Sequence, residues 1–389
     1  MHKECRTFTE GWFHNPMVPY YALLAWFLLT CFVFNQFKGK TRKRLQFFSC
    51  VVPAACIASL RDVSVGTDTQ QYVDAVMLMK SLGYQAYNRS GLYAGYEYGF
   101  RLLMYICTQF GNPSRALIIF SALIIVILPF YVIYRIVENP SIVYVLYYLS
   151  TLYYFNLNGM RQSLAVAFLF MSILAVYRKS RFMPFVWFVI AFLFHTTALI
   201  FLPLLILSRI RPKISLLFWV PFGSIVILGA GRFLPRLFSI IPKYNGYVSE
   251  GGQYLVSGRL MPIIQIVLFI VLLAVFMLNM REKTLILKFP GVQSFEYPAL
   301  INMAVYACAV AILVGACSLY VNVFYRMMYE MWPIVILILP KFVQSDKDSG
   351  PLPLSMIVAY LSIVVFFVAF FFVPTGWFGI DPYMMYEQL

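Results

Sequence analysis

Residues 114–134 read SRALIIFSALIIVILPFYVIY, a run whose single charge, Arg115, stands at its second position. The run is apolar on every face. It shows neither the period-2 alternation of a half-buried strand nor the polar stripe of a surface helix. Its length matches the ~20 residues a helix needs to cross a hydrocarbon layer roughly 30 Å thick. That layer holds no water to satisfy exposed backbone groups, so a chain built from such runs crosses it as α-helices.

The rest of the chain repeats the pattern. Of its 389 residues 62% are hydrophobic and 18% aromatic, and 12% are charged. Soluble domains are about half apolar and about a quarter charged, which excludes a water-soluble enzyme carried on an anchor. The expected fold is all-α: one integral-membrane domain over 1–389, a bundle of about twelve spanning or half-spanning helices. The spans are expected at 17–36, 45–60, 114–134, 141–157, 160–177, 182–194, 196–207, 214–230, 260–280, 298–318, 323–340 and 354–374. Outer-face segments are expected at about 61–113 and 231–259, and a short apolar piece, 100–110, is expected as an interfacial or re-entrant helix. The stretch 182–207 reads either as one long tilted helix or as two short ones separated at His195. The seven cysteines form no CxxC pair and lie mostly in apolar runs, so they read as packing residues and not as a zinc site or disulfide framework.

Charge orients the chain. The first apolar run is followed, not preceded, by Lys38, Lys40, Arg42, Lys43 and Arg44. A cleaved signal peptide has the reverse order, so this run is expected to remain as a helix that begins outside. With two helices at 182–207, the basic clusters at 178–181, 209–213 and 281–288 all face the cytoplasm. Cytoplasmic segments then carry 17 of the 30 Lys and Arg against 5 acids, and outer segments 13 against 10. The net charge of +15 is mostly positive-inside bias and attraction to anionic lipid, and nucleic acid is not needed to explain it.

Several arginines are not required by topology. Arg61, Arg161, Arg259 and Arg326 stand at outer helix ends, and Arg232 and Arg236 in the outer loop. Charges at membrane depth are costly and mark sites, and the guanidinium fork grips phosphate oxygens without losing its charge. The plain alternative is a long side chain snorkelling to headgroups. Arg61 opens a polar, glycine-hinged stretch that reaches Asp68 and Tyr72. Arg161 follows the tight turn Asn158-Gly159, and His195 parts two apolar half-helices. All three fall on the outer side.

These three stretches, residues 61–72, 160–167 and 193–198, resemble the signatures of the EpsG family. These are membrane proteins of exopolysaccharide synthesis, related in role to the Wzy O-antigen polymerases. The element Tyr96-Glu97-Tyr98-Gly99-Phe100 and, further on, Phe324-Tyr325-Arg326 also fit. The resemblance covers roughly 17–210 well. It implies glycosyl transfer on the outer face of the cell inner membrane, from a growing glycan on undecaprenyl diphosphate to a single lipid-linked repeat unit. A chain-length regulator is a further possible partner. A lipid diphosphate leaves readily when fixed positive charge meets the departing oxygens. The implied reaction is therefore metal-independent and cofactor-free, with Arg61, Arg161, Arg259 and Arg326 as diphosphate ligands. For the base that takes the acceptor proton, the candidates are His195 and Asp68. His195 has a structural alternative as an imidazole bonding a neighbouring helix, and Asp68 as the cap of a helix over 69–80.

Other signals are weak. No Walker loop, HExxH or GxSxG is present, and Asp346-Lys347-Asp348 reads as a solvated cytoplasmic loop and not a nucleotide-sugar DxD site. Beside the polymerase, a transporter or flippase for lipid-linked oligosaccharide and a glycan ligase or acyltransferase remain open. A flippase predicts internal repeats and helices interrupted near the midplane, and a ligase differs only in its acceptor.

Overall fold

The computed structural model describes residues 17–92, 95–233, 236, 260–281, 299–344, 354–372, 377–380 and 383–386. Among them the regular structure is helical, and the one extended contact is an isolated antiparallel bridge between Arg61 and Met385. In chain order the helices are α1 (Val18–Val33), α2 (Gly39–Leu60), α3 (Thr69–Leu82), α4 (Tyr84–Arg89), α5 (Tyr98–Cys107) and α6 (Pro113–Ile136). Then come α7 (Pro140–Leu149), α8 (Leu152–Asn158), α9 (Met160–Tyr177), α10 (Met183–Phe194), α11 (Leu202–Leu207) and α12 (Leu216–Ala230). The last four are α13 (Leu260–Arg281), α14 (Ala299–Ser318), α15 (Trp332–Gln344) and α16 (Leu354–Phe372). Among the described residues five helices are long and apolar enough to cross a membrane alone, and 323–330 and 332–340, meeting at a 41° bend, make a sixth if the pair is one span. Shorter apolar helices complete the bundle. The protein is therefore a polytopic helical membrane protein.

Most expected spans appear within a few residues, and two are broken, at Thr151 and before α15. The expected span 141–157 divides at Thr151, which adopts φ 61 and ends α7. At His195 the backbone is extended (φ −156, ψ 127), which ends α10; the chain resumes as a 3-10 helix, Thr196–Phe201, running into α11. Another 3-10 segment, Asn322–Glu330, precedes α15. The twelve residues of α10 rise about 18 Å, short of a hydrocarbon layer roughly 30 Å thick.

Polar contacts fall at two ends of the bundle. At one end Gln46 donates to Asn139 and Ser141, Arg42 donates to the Glu138 carbonyl, and Asn302 donates to the Ser208 carbonyl. At the other end Asn158 meets Thr67 and Asp68, Thr197 meets Glu330, and Tyr320 donates to the Leu228 carbonyl. Ser208 and His195 thus lie at opposite ends, so α10 and the 196–207 segment are two passes, as the charge pattern expects.

The segment 61–113 is more than a loop. It folds into α3, α4 and α5, with Tyr72, Val76, Met79, Phe100 and Met104 buried against α6 and α9. The expected apolar piece 100–110 is α5, which begins two residues earlier. Two glycines let this module seat. Gly66 has φ +96, and a Cβ there would lie 2.5 Å from the Leu157 carbonyl; a Cβ on Gly99 would lie 2.8 Å from the Leu193 carbonyl. The C-terminal residues strap it down: Gly66 and Thr67 donate to the carbonyls of Gly379 and Phe378, and Asp62 donates to that of Met384. Most of the second expected outer segment, 231–259, lies outside the described residues.

This orientation predicts an asymmetric labelling pattern. In a cysteine-free background, Gly111→Cys reacts with a membrane-impermeant maleimide added to intact cells, and Ser180→Cys reacts only after permeabilisation. Labelling of Ser180→Cys from outside would invert the orientation.

Candidate active site

The 61–68 stretch passes over the end of α8, where α9 begins. Asn158 fixes it there: its Oδ1 accepts from the Asp68 backbone N–H at 2.8 Å and from the Thr67 hydroxyl at 3.0 Å. Asp68 is the residue before α3, but its carboxylate makes no capping bond. It pairs instead with Arg326, Oδ2 to Nη1 at 2.7 Å, both side chains about one-fifth to one-quarter exposed. The capping alternative for Asp68 is thereby corrected. The 3-10 backbone of 322–330 carries Arg326 to a partner 258 residues earlier in the chain.

Arg161, the second residue of α9, turns toward the residues just before α5. Its Nη1 donates to Glu97 Oε2 at 2.7 Å and to the Gly95 carbonyl at 3.1 Å. The guanidinium lies 4.3 Å from the Tyr96 ring centroid and 5.9 Å from that of Tyr72. This is a cation held by a carboxylate and two aromatic faces. Burial pushes the Tyr72 phenol up to about 12, so it remains a neutral group beside Arg161 and Arg326. One edge of Arg161 is committed to protein acceptors, and a ligand would meet another edge.

The other oxygen of Glu97 serves the third motif. Glu97 Oε1 lies 3.3 Å from His195 Nδ1 and accepts from the Thr196 backbone N–H and hydroxyl at the same distance. The extended backbone at His195 frees the Thr196 N–H for this contact. Glu97 is 6% exposed and His195 17% in their side chains, so the pair is largely buried. Beneath it Gln162 donates at 2.9 Å to both the Arg326 carbonyl and Glu330 Oε1, and Thr197 donates to the same Glu330 oxygen. Glu330 is fully buried, and both of these donors are neutral.

The structure thus brings Asp68, Arg161, His195 and Arg326 together. It does not bring Arg61 to them. Arg61 is 1% exposed, its Nη1 donates to the Ala58 carbonyl at 2.6 Å, and its charged and titratable neighbours are Tyr20, Tyr153, Tyr383 and Arg115. Burial pulls its guanidinium down to about 10, which leaves it charged at neutral pH. The expectation that Arg61 and Arg161 hold one diphosphate is corrected accordingly: the chain turns Arg61 inward, and its backbone bridges to Met385. Arg259 lies outside the described residues, as do Asp346 and Asp348. Arg236 stands over the Phe233 ring at 5.9 Å. No group of three or more metal-ligating side chains gathers among the described residues.

Two carboxylates of the site are not singled out by the sequence reading: Glu97 falls within a motif that gives it no role, and Glu330 falls inside the expected span 323–340. The signal was present: an acid bordering or inside an apolar run is costly and marks a site or a partner.

A family model described as the EpsG family matches residues 44–385, most of the chain. No curated protein and no solved structure matches it.

The Asp68–Arg326 pair makes a prediction that separates pairing from capping. Asn caps a helix as well as Asp, so a capping role would leave Asp68→Asn neutral. As an ion-pair partner, Asp68→Asn lowers the melting midpoint in detergent, and Arg326→Gln in that background lowers it little further. The coupling between the two changes is about 1 kcal/mol. Additive effects would remove the pair from the account.

Proposed function

The chain belongs to the EpsG family, a Wzy-like polymerase family, and from that premise we propose that it polymerises undecaprenyl-diphosphate-linked repeat units on the outer face of the cell inner membrane. The observation that carries this reading is the convergence of three separate motifs on one partly buried cluster. Arg161, Arg326, Glu97, Asp68 and His195 come from five distant segments, and within the cluster Arg161 joins Glu97 and Arg326 joins Asp68, each at 2.7 Å. Such convergence fits a reaction that needs fixed positive charge and a base in one place.

The reaction follows from these groups. Arg161 and Arg326 face the diphosphate of the donor glycan and neutralise the charge that grows on the departing oxygen. The acceptor's sugar hydroxyl loses its proton to His195 as its oxygen bonds the donor's anomeric carbon. The bond from that carbon to the diphosphate breaks with its electron pair on oxygen, leaving undecaprenyl diphosphate. The charge role belongs to arginines, and in this reading no divalent metal takes part. Asp68 is the weaker candidate for the base because its carboxylate is engaged by Arg326.

A second reading has one observation in its favour. Helices interrupted at Thr151, at His195 and at the 41° bend fit a flippase for lipid-linked oligosaccharide. Surface glycan separates the two. Loss of the polymerase leaves single repeats and removes long chains, whereas loss of a flippase removes both.

Arg161→Lys tests the proposed chemistry. Lysine still pairs with Glu97 and still snorkels, so insertion and abundance are kept. It loses the planar fork and with it one parallel contact to phosphate. The expected loss is on the order of 3 kcal/mol, about a hundredfold in rate, with single repeats accumulating on the lipid carrier. Wild-type chain lengths at wild-type abundance would reduce Arg161 to an anchor.

A further inference from the structure

Glu97 is used by neither the diphosphate contacts nor the proton transfer, yet it touches the residues assigned to both. Its Oε2 holds Arg161 Nη1 at 2.7 Å, and its Oε1 faces His195 Nδ1 at 3.3 Å. The backbone serves this bridge at three points. Glu97 is extended (φ −69, ψ 157) just ahead of α5, so its side chain turns off the helix and makes no cap. Gly99 lets α5 approach the Leu193 carbonyl closely enough to bring Glu97 to the break at His195. Thr196 then donates both its N–H and its hydroxyl to Glu97 Oε1, which fixes the carboxylate's plane.

The two imidazole nitrogens lie on opposite sides of the ring. A carboxylate at Nδ1 favours the tautomer with the proton there, which leaves the Nε2 lone pair directed away from Glu97. We infer that Glu97 is the positioning residue of this site, orienting His195 through Nδ1 so that Nε2 takes the acceptor proton, and anchoring one edge of Arg161 so that another edge meets the donor diphosphate. The inference rests on the polymerase reading for what the site acts upon. In the transfer step the hydroxyl proton passes to Nε2, the new glycosidic bond forms, and the diphosphate leaves with the bonding electrons. The imidazolium is then balanced by the Glu97 carboxylate. A single carboxylate therefore ties the base to the phosphate-binding arginine and sets the distance between acceptor and donor.

The experiment uses the full chain in lipid nanodiscs with purified lipid-linked repeat units. Glu97→Gln is expected to insert normally and to lower kcat on the order of 100-fold, as for loss of an oriented base, with KM little changed; Glu97→Asp recovers part of the rate. A structural role alone would lower abundance and leave kcat per folded molecule unchanged. The second readout needs no turnover: nitrogen-15 NMR of the His195 ring, assigned by its loss in His195→Ala and recorded where the ring is neutral. The wild-type ring carries its proton on Nδ1, and Glu97→Ala removes that preference. An unchanged tautomer in Glu97→Ala, or wild-type kcat in Glu97→Gln, overturns the inference. If the wild-type protein makes no polymer, the polymerase reading fails, and the tautomer still decides whether Glu97 orients His195.

Discussion

The end of the bundle that carries the site depends on one constraint: where little water is at hand a charge without an opposite charge is costly, and each arginine of the site is met by a carboxylate. Arg161 finds Glu97, and Arg326 finds Asp68. Each pair joins segments far apart in the chain, so the pairs act as ties between elements as well as neutralising charge. The module of α3, α4 and α5 is drawn onto α9 and α10 by the first tie, and the 3-10 segment before α15 onto the 61–68 stretch by the second.

The helix breaks belong to the same account. A continuous helix has no free backbone N–H to offer, and it carries its side chains outward at fixed spacing. Breaking the helix at His195 releases the Thr196 N–H to Glu97 and lets the imidazole reach the carboxylate. Breaking it at Thr151 and at Gly159 turns α8 so that Asn158 meets the backbone of Asp68. Buried aromatic contacts hold these irregular pieces. Phe155 stacks on Tyr329 at 4.3 Å, and Phe378, in the left-handed region, closes over both at 5.5 and 5.9 Å. Packing of this kind offsets the cost of irregular backbone at membrane depth.

Much of this was legible in the sequence. Apolar length placed α6, α9 and α14 nearly to the residue, because a bilayer imposes one length on every crossing helix. Basic clusters gave the alternation that put 61–72, 160–163 and 195–197 at one end. What stayed hidden was pairing. Nothing local tells Glu97 that its partners are 64 and 98 residues on, or Asp68 that its partner is Arg326 and not its own helix. Arg61 was misplaced for a related reason. A charged residue at a helix end reads as facing the surface, and the C-terminal residues that cover it are more than 300 positions away. The break at Thr151 was also invisible, since the left-handed turn there has no glycine to announce it.

The account's central claim is that the lipid diphosphate meets Arg161 in the cluster shared with Glu97 and His195. The most direct measurement is an experimental structure of the protein in nanodiscs with undecaprenyl diphosphate bound. The account predicts a phosphate oxygen within about 3 Å of the Arg161 guanidinium, with Glu97 still bridging to His195. Diphosphate seated elsewhere, on Arg232 and Arg236 for example, with the Arg161 cluster empty, would contradict it.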